Sequence, residues 1–522
     1  MRKHLTRHTC KLALCVLCAL TLSACQGGGI PVRTEPTVTL PPASQPYIAP
    51  IGDAALAYTQ PSTLFLPTVD GERLVAVTQE VGYSLARLDA ESLVRSLLQA
   101  PGDAMTQPLG GDVKLALYGA NPVEVSGDVA TVNLAASALQ LDRDALYLCA
   151  QAITNTLCTQ KNIRYVNLLV MDRQIGLDLA STLPMGALTR NVTNIVSGTY
   201  EQALTQRVQP GEAAQDKRLN ATVALYFPLR SRYGVMSEAR NISFNGQTPE
   251  QMIAQILQTL SAGPVTTLDS PPIPLLEGLT TEAPVVDEPE SGGGKRILLK
   301  FDSSLWDMLQ NVGVPRVNFL ASICDTLTTF IPNIAGLTVV VGEERIDHVM
   351  MGATDGVLFT DGLIRRADFA PFLLDNATLY FANPNGDGLV ATLRPIAYYK
   401  RTNPRALLLE LFAGPGEADS VQQLGSVLPT NTLGDADILG LALSEQTLLL
   451  NVSTKFSQAL TGFSGQQARQ LAYAIANTLL CSDRAKMLCL FQSGLNLPSP
   501  PGDVDWSGVF YPNPEYALQA GR

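Results

Sequence analysis

Histidine is nearly missing from this chain of 522 residues. There are three, and His4 and His8 lie within the first ten positions. Beyond the leader only His348 remains, so a Ser-His-Asp or Cys-His site would have to use it. It stands in Arg345-Ile346-Asp347-His348 at a strand end and reads as a surface residue. Cysteine is scarce too. Past Cys25 there are Cys149, Cys158, Cys324, Cys481 and Cys489, too few for a disulfide scaffold and without zinc-pair spacing. After the leader no apolar stretch approaches the ~20 residues of a spanning helix. Charge is sparse at 16% and leans acidic, with 36 Lys and Arg against 47 Asp and Glu. Such a surface is repelled by phosphate backbones, which excludes nucleic acid as a partner.

What is there begins with a leader. Arg2, Lys3 and Arg7 precede an apolar run, Leu12 to Leu22, of 11 residues. A basic start, a short apolar middle and small residues before a break make a secretory signal, residues 1–24. The break, Leu22-Ser23-Ala24-Cys25, is similar to the lipobox of bacterial lipoproteins, in which the thiol takes a diacylglycerol and becomes the N-terminus. Cys25 is thus the expected lipidation site; the alternative is an ordinary signal peptide cut nearby. Removing the leader also removes Arg2, Lys3, Arg7 and Lys11, leaving 32 basic residues against 47 acidic ones, a net charge near −15. Residues 25–54 are rich in Gly, Pro and Thr and read as a lipidated, flexible tether.

Self-comparison then finds one unit three times. Thr63-Leu64-Phe65-Leu66-Pro67 recurs as Ala224-Leu225-Tyr226-Phe227-Pro228 and as Thr378-Leu379-Tyr380-Phe381, each suited to a buried strand. A helix follows in each copy. The second copy has Thr248 to cap it, Pro249 for the first turn and Gln251 to complete a capping box. Ala262-Gly263-Pro264 and Ala413-Gly414-Pro415 end helices; Ala100-Pro101-Gly102 has the same punctuation reordered. A second helix gives the clearest alignment. Leu146, Cys149, Ala150, Ile153, Thr154 and Leu157 fall at one spacing, repeated by Ala468, Leu471, Ala472, Ile475, Ala476 and Leu479. Phe319, Leu320, Ile323, Cys324 and Leu327 follow it in copy two, with Arg316 breaking the first position. Each helix carries a Thr-Leu pair near its end: Thr156-Leu157, Thr326-Leu327 and Thr478-Leu479. Each unit therefore reads β-β-α-β-β-α-β. The expected fold class is α+β: three tandem repeats, each a mixed sheet with two helices packed on it.

The expected boundaries are 55–180, 218–344 and 376–495, with linkers at 181–217 and 345–375 and a tail at 496–522. Residues 282–294 within copy two are acidic and rich in Pro and Gly, and read as a solvated insertion. Gly292-Gly293-Gly294-Lys295 lacks the spacing and the Ser or Thr of a phosphate loop and reads as a hinge. Asn383 to Gly388 lacks the terminal Glu of a calcium loop and reads as a hairpin turn. Cys149 and Cys324 fall on apolar helix faces as small hydrophobes. Cys481 and Cys489 lie near a helix end and the next strand, close enough to form a disulfide; otherwise they are two thiols. A carboxylate pair for glycoside cleavage stays open, although no repeat position offers Asp or Glu in all three copies.

These landmarks resemble the GerM domain of sporulation and spore-germination lipoproteins. The resemblance rests on Leu379-Tyr380-Phe381, Leu411-Phe412-Ala413-Gly414-Pro415, Asn451-Val452-Ser453 and Ala474-Ile475-Ala476-Asn477-Thr478-Leu479, with the corresponding pieces of copy two. Copy one departs most, carrying Leu66 where the aromatic sits. GerM domains are similar to the ring-building modules of secretion-type channels, and in spore formers such a lipoprotein helps assemble the channel between mother cell and forespore. The resemblance implies a non-enzymatic protein without cofactor or metal, held by its lipid on the extracytoplasmic face of the cell membrane. Its expected partners are that membrane and other envelope proteins, a sporulation channel or ring complex among them. The alternatives are an accessory sensor lipoprotein for a membrane receptor or kinase, or a peptidoglycan-associated protein.

Overall fold

The computed structural model describes residues 47–518 apart from 54–55, 177–182, 197–207, 211–216, 246–247, 267–268, 274–278, 289–293, 417–418, 420–421, 431, 481–483 and 498–503. The leader and most of the tether therefore lie outside the described residues. A two-residue strand, β1 (Gly52–Asp53), precedes the first repeat. That repeat runs β2 (Ala57–Pro67), β3 (Leu74–Ser84), α1 (Asp89–Gln99), β4 (Val123–Ser126), β5 (Val129–Leu134), α2 (Arg143–Leu157), β6 (Tyr165–Val170) and β7 (Arg173–Gln174), with β8 (Leu188–Thr189) added to β6. β2 and β3 form an antiparallel hairpin. The strands after α1 pair in the order β4-β5-β6-β7, and β5 and β6 are parallel. A parallel pair needs a crossover, and α2 supplies it.

The second repeat repeats this order. After the short β9 (Val208–Pro210) come β10 (Lys217–Pro228) and β11 (Val235–Phe244), then α3 (Pro249–Ser261), β12 (Val285–Asp287), β13 (Lys295–Phe301), α4 (Leu305–Asn311), α5 (Arg316–Phe330), β14 (Ile334–Val341) and β15 (Glu344–Arg345). Its sheet is β12-β13-β14-β15, again with a parallel central pair. The capping box on Thr248 and Gln251 is present. Gly263 ends α3 at φ +80, a conformation that glycine adopts without cost. Arg316, the misfit in the apolar pattern, lays its guanidinium 4.8 Å from the Trp306 ring centre. Cation–π contact thus explains a charge at an apolar register position.

Between copies two and three, β16 (His348–Met351) pairs with β17 (Asp355–Leu358). The third repeat is β18 (Leu374–Ala382), β19 (Leu389–Ala397), α6 (Pro404–Phe412), β20 (Ile438–Ser444), β21 (Thr447–Val452), α7 (Lys455–Ala459), α8 (Gly465–Leu479), β22 (Met487–Gln492) and β23 (Leu495–Asn496). The sheet order is β20-β21-β22-β23, and Gly414 ends its helix turn at φ +85. The fold class read from the sequence is the one observed: mixed sheets with two principal helices per unit, three times over.

The Thr-Leu pairs now have a physical role. Phe65 N–H donates to the Thr156 hydroxyl at 3.0 Å, and Tyr226 N–H donates to Thr326 at 2.9 Å. The opening strand thus satisfies a buried main-chain donor on the second helix, and leucine beside each threonine fills the core. Thr478 is likewise fully buried in copy three.

The segments between the periodic elements are more structured than expected. In 345–375, Phe359, Ile364, Phe369 and Phe372 are buried. Their spacing follows short helical turns, which leave no regular apolar period. Val285–Asp287 of the acidic insertion adds a strand to β13; residues 289–293 lie outside the described residues. The tail folds back as well. Trp506 is fully buried against Phe456, 5.6 Å between ring centres, and β24 (Val509–Phe510) pairs with β22 before a short α9 (Pro514–Leu518). Copies one and two share one continuous apolar core, to which 345–373 contributes. Copy three has its own, joined by Leu56 and Leu85. Ile48–Arg522 make up a single compact unit.

Candidate functional site

The cysteines among the described residues have no activating surroundings. Cys149 is almost fully buried on α2, and burial pushes its thiol up to about 12. Burial likewise raises Cys324, and lifts Cys158 and Cys489 to about 11. Thiols so raised stay protonated at neutral pH and are poor nucleophiles. Cys489 is a free thiol on β22; Cys481, the candidate for a disulfide with it, lies outside the described residues, as does Cys25. His348 is exposed on β16, its Nδ1 2.6 Å from Asp347. Its hydrogen bond holds the Asp347 carboxyl below the usual carboxylate range. The Asn383–Gly388 segment is the β18–β19 hairpin turn: Asn383 Oδ1 accepts from the N–H groups of Asp387 and Gly388 at 3.0 and 3.2 Å. No group of three His, Cys, Asp or Glu among the described residues is placed to hold a metal ion.

Carboxylates are instead spent on the turns that close the first helices. Asp103 accepts the N–H groups of Met105 and Thr106, both at 2.8 Å, in copy one. Glu238 accepts from Val265 and Thr266 in copy two. Asp419 accepts from Gly416 at 2.8 Å in copy three and pairs with buried Arg394 at 2.8 Å. Burial works to raise Asp419, and the Gly416 N–H, Thr392 and Arg394 outweigh it, leaving its pKa lowered. The three acids come from different positions in the repeat, so sequence alignment does not reveal their shared task.

A buried polar cluster lies at the seam of copies one and two. Arg366, from the 345–375 segment, is buried. Its guanidinium pairs with Glu124 of β4, donates to Thr329 at 2.6 Å, and lies 3.8 Å from the Asp325 carboxylate of α5. It also rests 5.3 Å from the centre of the Tyr226 ring. Three stretches far apart in sequence are thus pinned by one cation. Burial pushes Asp325 up to about 7, against the pull of Arg366, with Glu124 adding to the rise. Further ties cross the same region. Ser237 donates its N–H to Ser126 at 3.0 Å, Gly127 N–H donates to Asp375 at 3.0 Å, and Gln174 caps α5 by donating to Thr329 O at 3.0 Å.

Asp325 carries a pH prediction. Its folded pKa, about 7, exceeds the ordinary value of 3.8, so the folded state holds an extra proton between those values. Ionising it costs stability as pH rises from about 4 through about 7. Asp325→Asn removes that cost and should stabilise the protein at pH 8 by roughly 1–4 kcal/mol. The gain should shrink to nothing towards pH 4. Urea unfolding across that range checks it; an Asn variant weaker at pH 8 would show that the ion pair with Arg366 outweighs burial.

Residues 63–176 match the family described as Germane: sporulation and spore germination. The first repeat is a GerM-like domain. The matched span opens in β2 and closes just past β7, so it takes in nearly all of the first repeat. Copies two and three, beyond the matched span, repeat its order of strands and helices. Among solved structures, the tandem GerMN domains of the sporulation protein GerM from Bacillus subtilis are similar at 16% identity, covering 55% of this chain and 96% of that one, with a TM-score of 0.21. The first GerMN domain of the same protein is similar at 18% identity, covering 25% of this chain and 94% of that one, with a TM-score of 0.20. The architecture above stands on this chain's own elements rather than on those likenesses. No curated protein matches the chain. Among the described residues no helix is long and apolar enough to cross a membrane.

Proposed function

We propose that this chain is an exported, lipid-anchored protein that assembles other envelope proteins during sporulation or germination and catalyses no reaction. The observation that carries this reading is the match of residues 63–176 to a family described by sporulation and spore germination. The use of buried polar groups supports it. Thr156, Thr326, Asp103, Glu238 and Asp419 are engaged in holding strands and turns. Copies one and two, joined through one shared core, offer a preorganised surface, which loses little entropy on docking. A lipid on Cys25 confines the protein to one membrane face and raises its effective concentration towards partners there. The acidic balance favours a basic patch on the partner, which speeds encounter more than it tightens the complex.

The test begins at Cys25. Cys25→Ala should leave a longer precursor and abolish the membrane-anchored mature form, read by mass spectrometry and fractionation. In the host, that variant and a full deletion should both fail at the same stage of spore formation or germination. Wild-type spore yield and germination in the deletion strain would overturn the assembly role. A mature N-terminus other than Cys25 would overturn the anchor alone.

A further inference from the structure

A cleft of about 480 Å³ opens where the β6–β7 turn of copy one meets copy two and the 345–375 segment. Its walls include Arg173, Arg296, Arg345, Arg365 and Arg366, a concentration of cations in a chain of net charge −11. Two carboxylates, Asp172 and Asp361, also line it. Arg366 is engaged by Glu124, and Arg296 by Asp287 through three hydrogen bonds at 2.8, 3.0 and 2.7 Å. Arg345 and Arg365 differ. The guanidinium hydrogen bonds found for them run to main-chain carbonyls, Arg345 to Asp361 O, and Arg365 to Thr360 O and Leu363 O, both at 3.2 Å, while the Arg365 main-chain N–H donates to Asp368 at 2.7 Å. Carbonyls fix where a guanidinium points and leave its charge unneutralised. Asp347 and Asp368 feel these charges, but neither forms an ion pair with them within 4.0 Å.

The main chain is shaped around these groups. Asp361 and Gly362 both sit in the left-handed region, at φ 58 and 59. A Cβ on Gly362 would come within 2.5 Å of Arg345 Nε, and one on Gly294 within 2.7 Å of Arg173 Nη1. A left-handed non-glycine residue costs energy, and the turn spends it to aim a carbonyl at Arg345. We infer that this cleft is an anion site for a small phosphate-bearing molecule, held chiefly by Arg345 and Arg365. Guanidinium forks suit oxyanions through paired N–H donors. A lone carboxylate offers one such edge. A terminal phosphate offers three oxygens and about −1.5 to −2 charge at neutral pH, which suits two forks at once. The volume lies within the ~300–1,000 Å³ usual for small-molecule sites.

The phosphate can come from a soluble ester or from a lipid headgroup, and calorimetry on the mature chain separates the two. Inorganic phosphate and pyrophosphate are titrated at constant ionic strength against chloride, with citrate as the carboxylate control. Phosphatidic acid vesicles, whose headgroup is a terminal phosphate, are tested by co-sedimentation. Saturable binding of phosphate or pyrophosphate is expected, weakened at least tenfold in Arg345→Gln/Arg365→Gln, and less in the double Lys variant, which keeps charge and loses the fork. Vesicle binding that falls in the same variants, without binding of free phosphate, assigns the site to a headgroup. Should the double Gln variant fail to fold, judged by circular dichroism, Arg345→Gln alone carries the comparison. No binding in either arm, equal binding by the variants, or binding of citrate alone overturns the inference.

Discussion

Ile475→Asp should unfold the third repeat while sparing the rest. Ile475 is fully buried in the middle of α8, between Leu471 and Leu479 on the face that packs on the copy-three hairpin. An aspartate there places an unpaired carboxylate among Leu379, Phe381 and Leu408. Burying a charge without a partner loses several kcal/mol, of order 3–5, a large share of a domain's stability. The damage should stay local because copy three has its own apolar core, separate from the one shared by copies one and two. Limited proteolysis should therefore leave a fragment ending near residues 373–400, the stretch where Tyr398 belongs to the shared core. A wild-type melting profile would place Ile475 outside the core; wholesale digestion would mean that the two cores unfold together.

What the sequence disclosed follows from what repeats. The α2, α5 and α8 faces were legible because an apolar helix face has a period, and three copies at one spacing leave little room for chance. The caps were legible because Thr248, Gln251, Gly263 and Gly414 each meet a backbone demand local to a few residues. The Thr-Leu pairs were visible as a pattern, yet their purpose needed the strand about a hundred residues away. Arg366 had no signal at all. It lies in a segment without apolar period, has no counterpart in the other repeats, and finds Glu124 and Asp325 only once three stretches have folded. The same blindness hid the tail. Trp506 stands in a stretch of prolines, glycines and acids without apolar period, and packs against Phe456 and Phe510. At the N-terminal end, Gly52 and Asp53 pair in parallel with β20, and Arg405 grips Asp53 at 2.6 and 2.7 Å. A two-residue strand has no pattern to read, so the tether looked unattached where it is fastened to the last repeat.

Arg366→Met should be the most damaging single change at the seam between copies one and two. Methionine fills much of the volume but leaves Glu124 without its cation, and leaves Asp325 more strongly driven to hold its proton. Removing one partner of a buried ion pair typically costs 3–5 kcal/mol, because the remaining charge stays dehydrated and uncompensated. The loss should appear in the shared core of copies one and two, since Arg366 joins β4, α5 and the intervening segment. Adding Glu124→Gln removes the stranded charge and should recover a substantial part of the loss, although Glu124→Gln alone destabilises. That non-additivity separates an ion-pair role from simple packing, and a double-mutant cycle by urea unfolding at pH 7 measures it. If the two losses simply add, Arg366 acts by its bulk over Tyr226 and the cation at the seam is incidental. If they compensate, the cluster supplies the rigidity that lets the first two repeats present one surface to a partner.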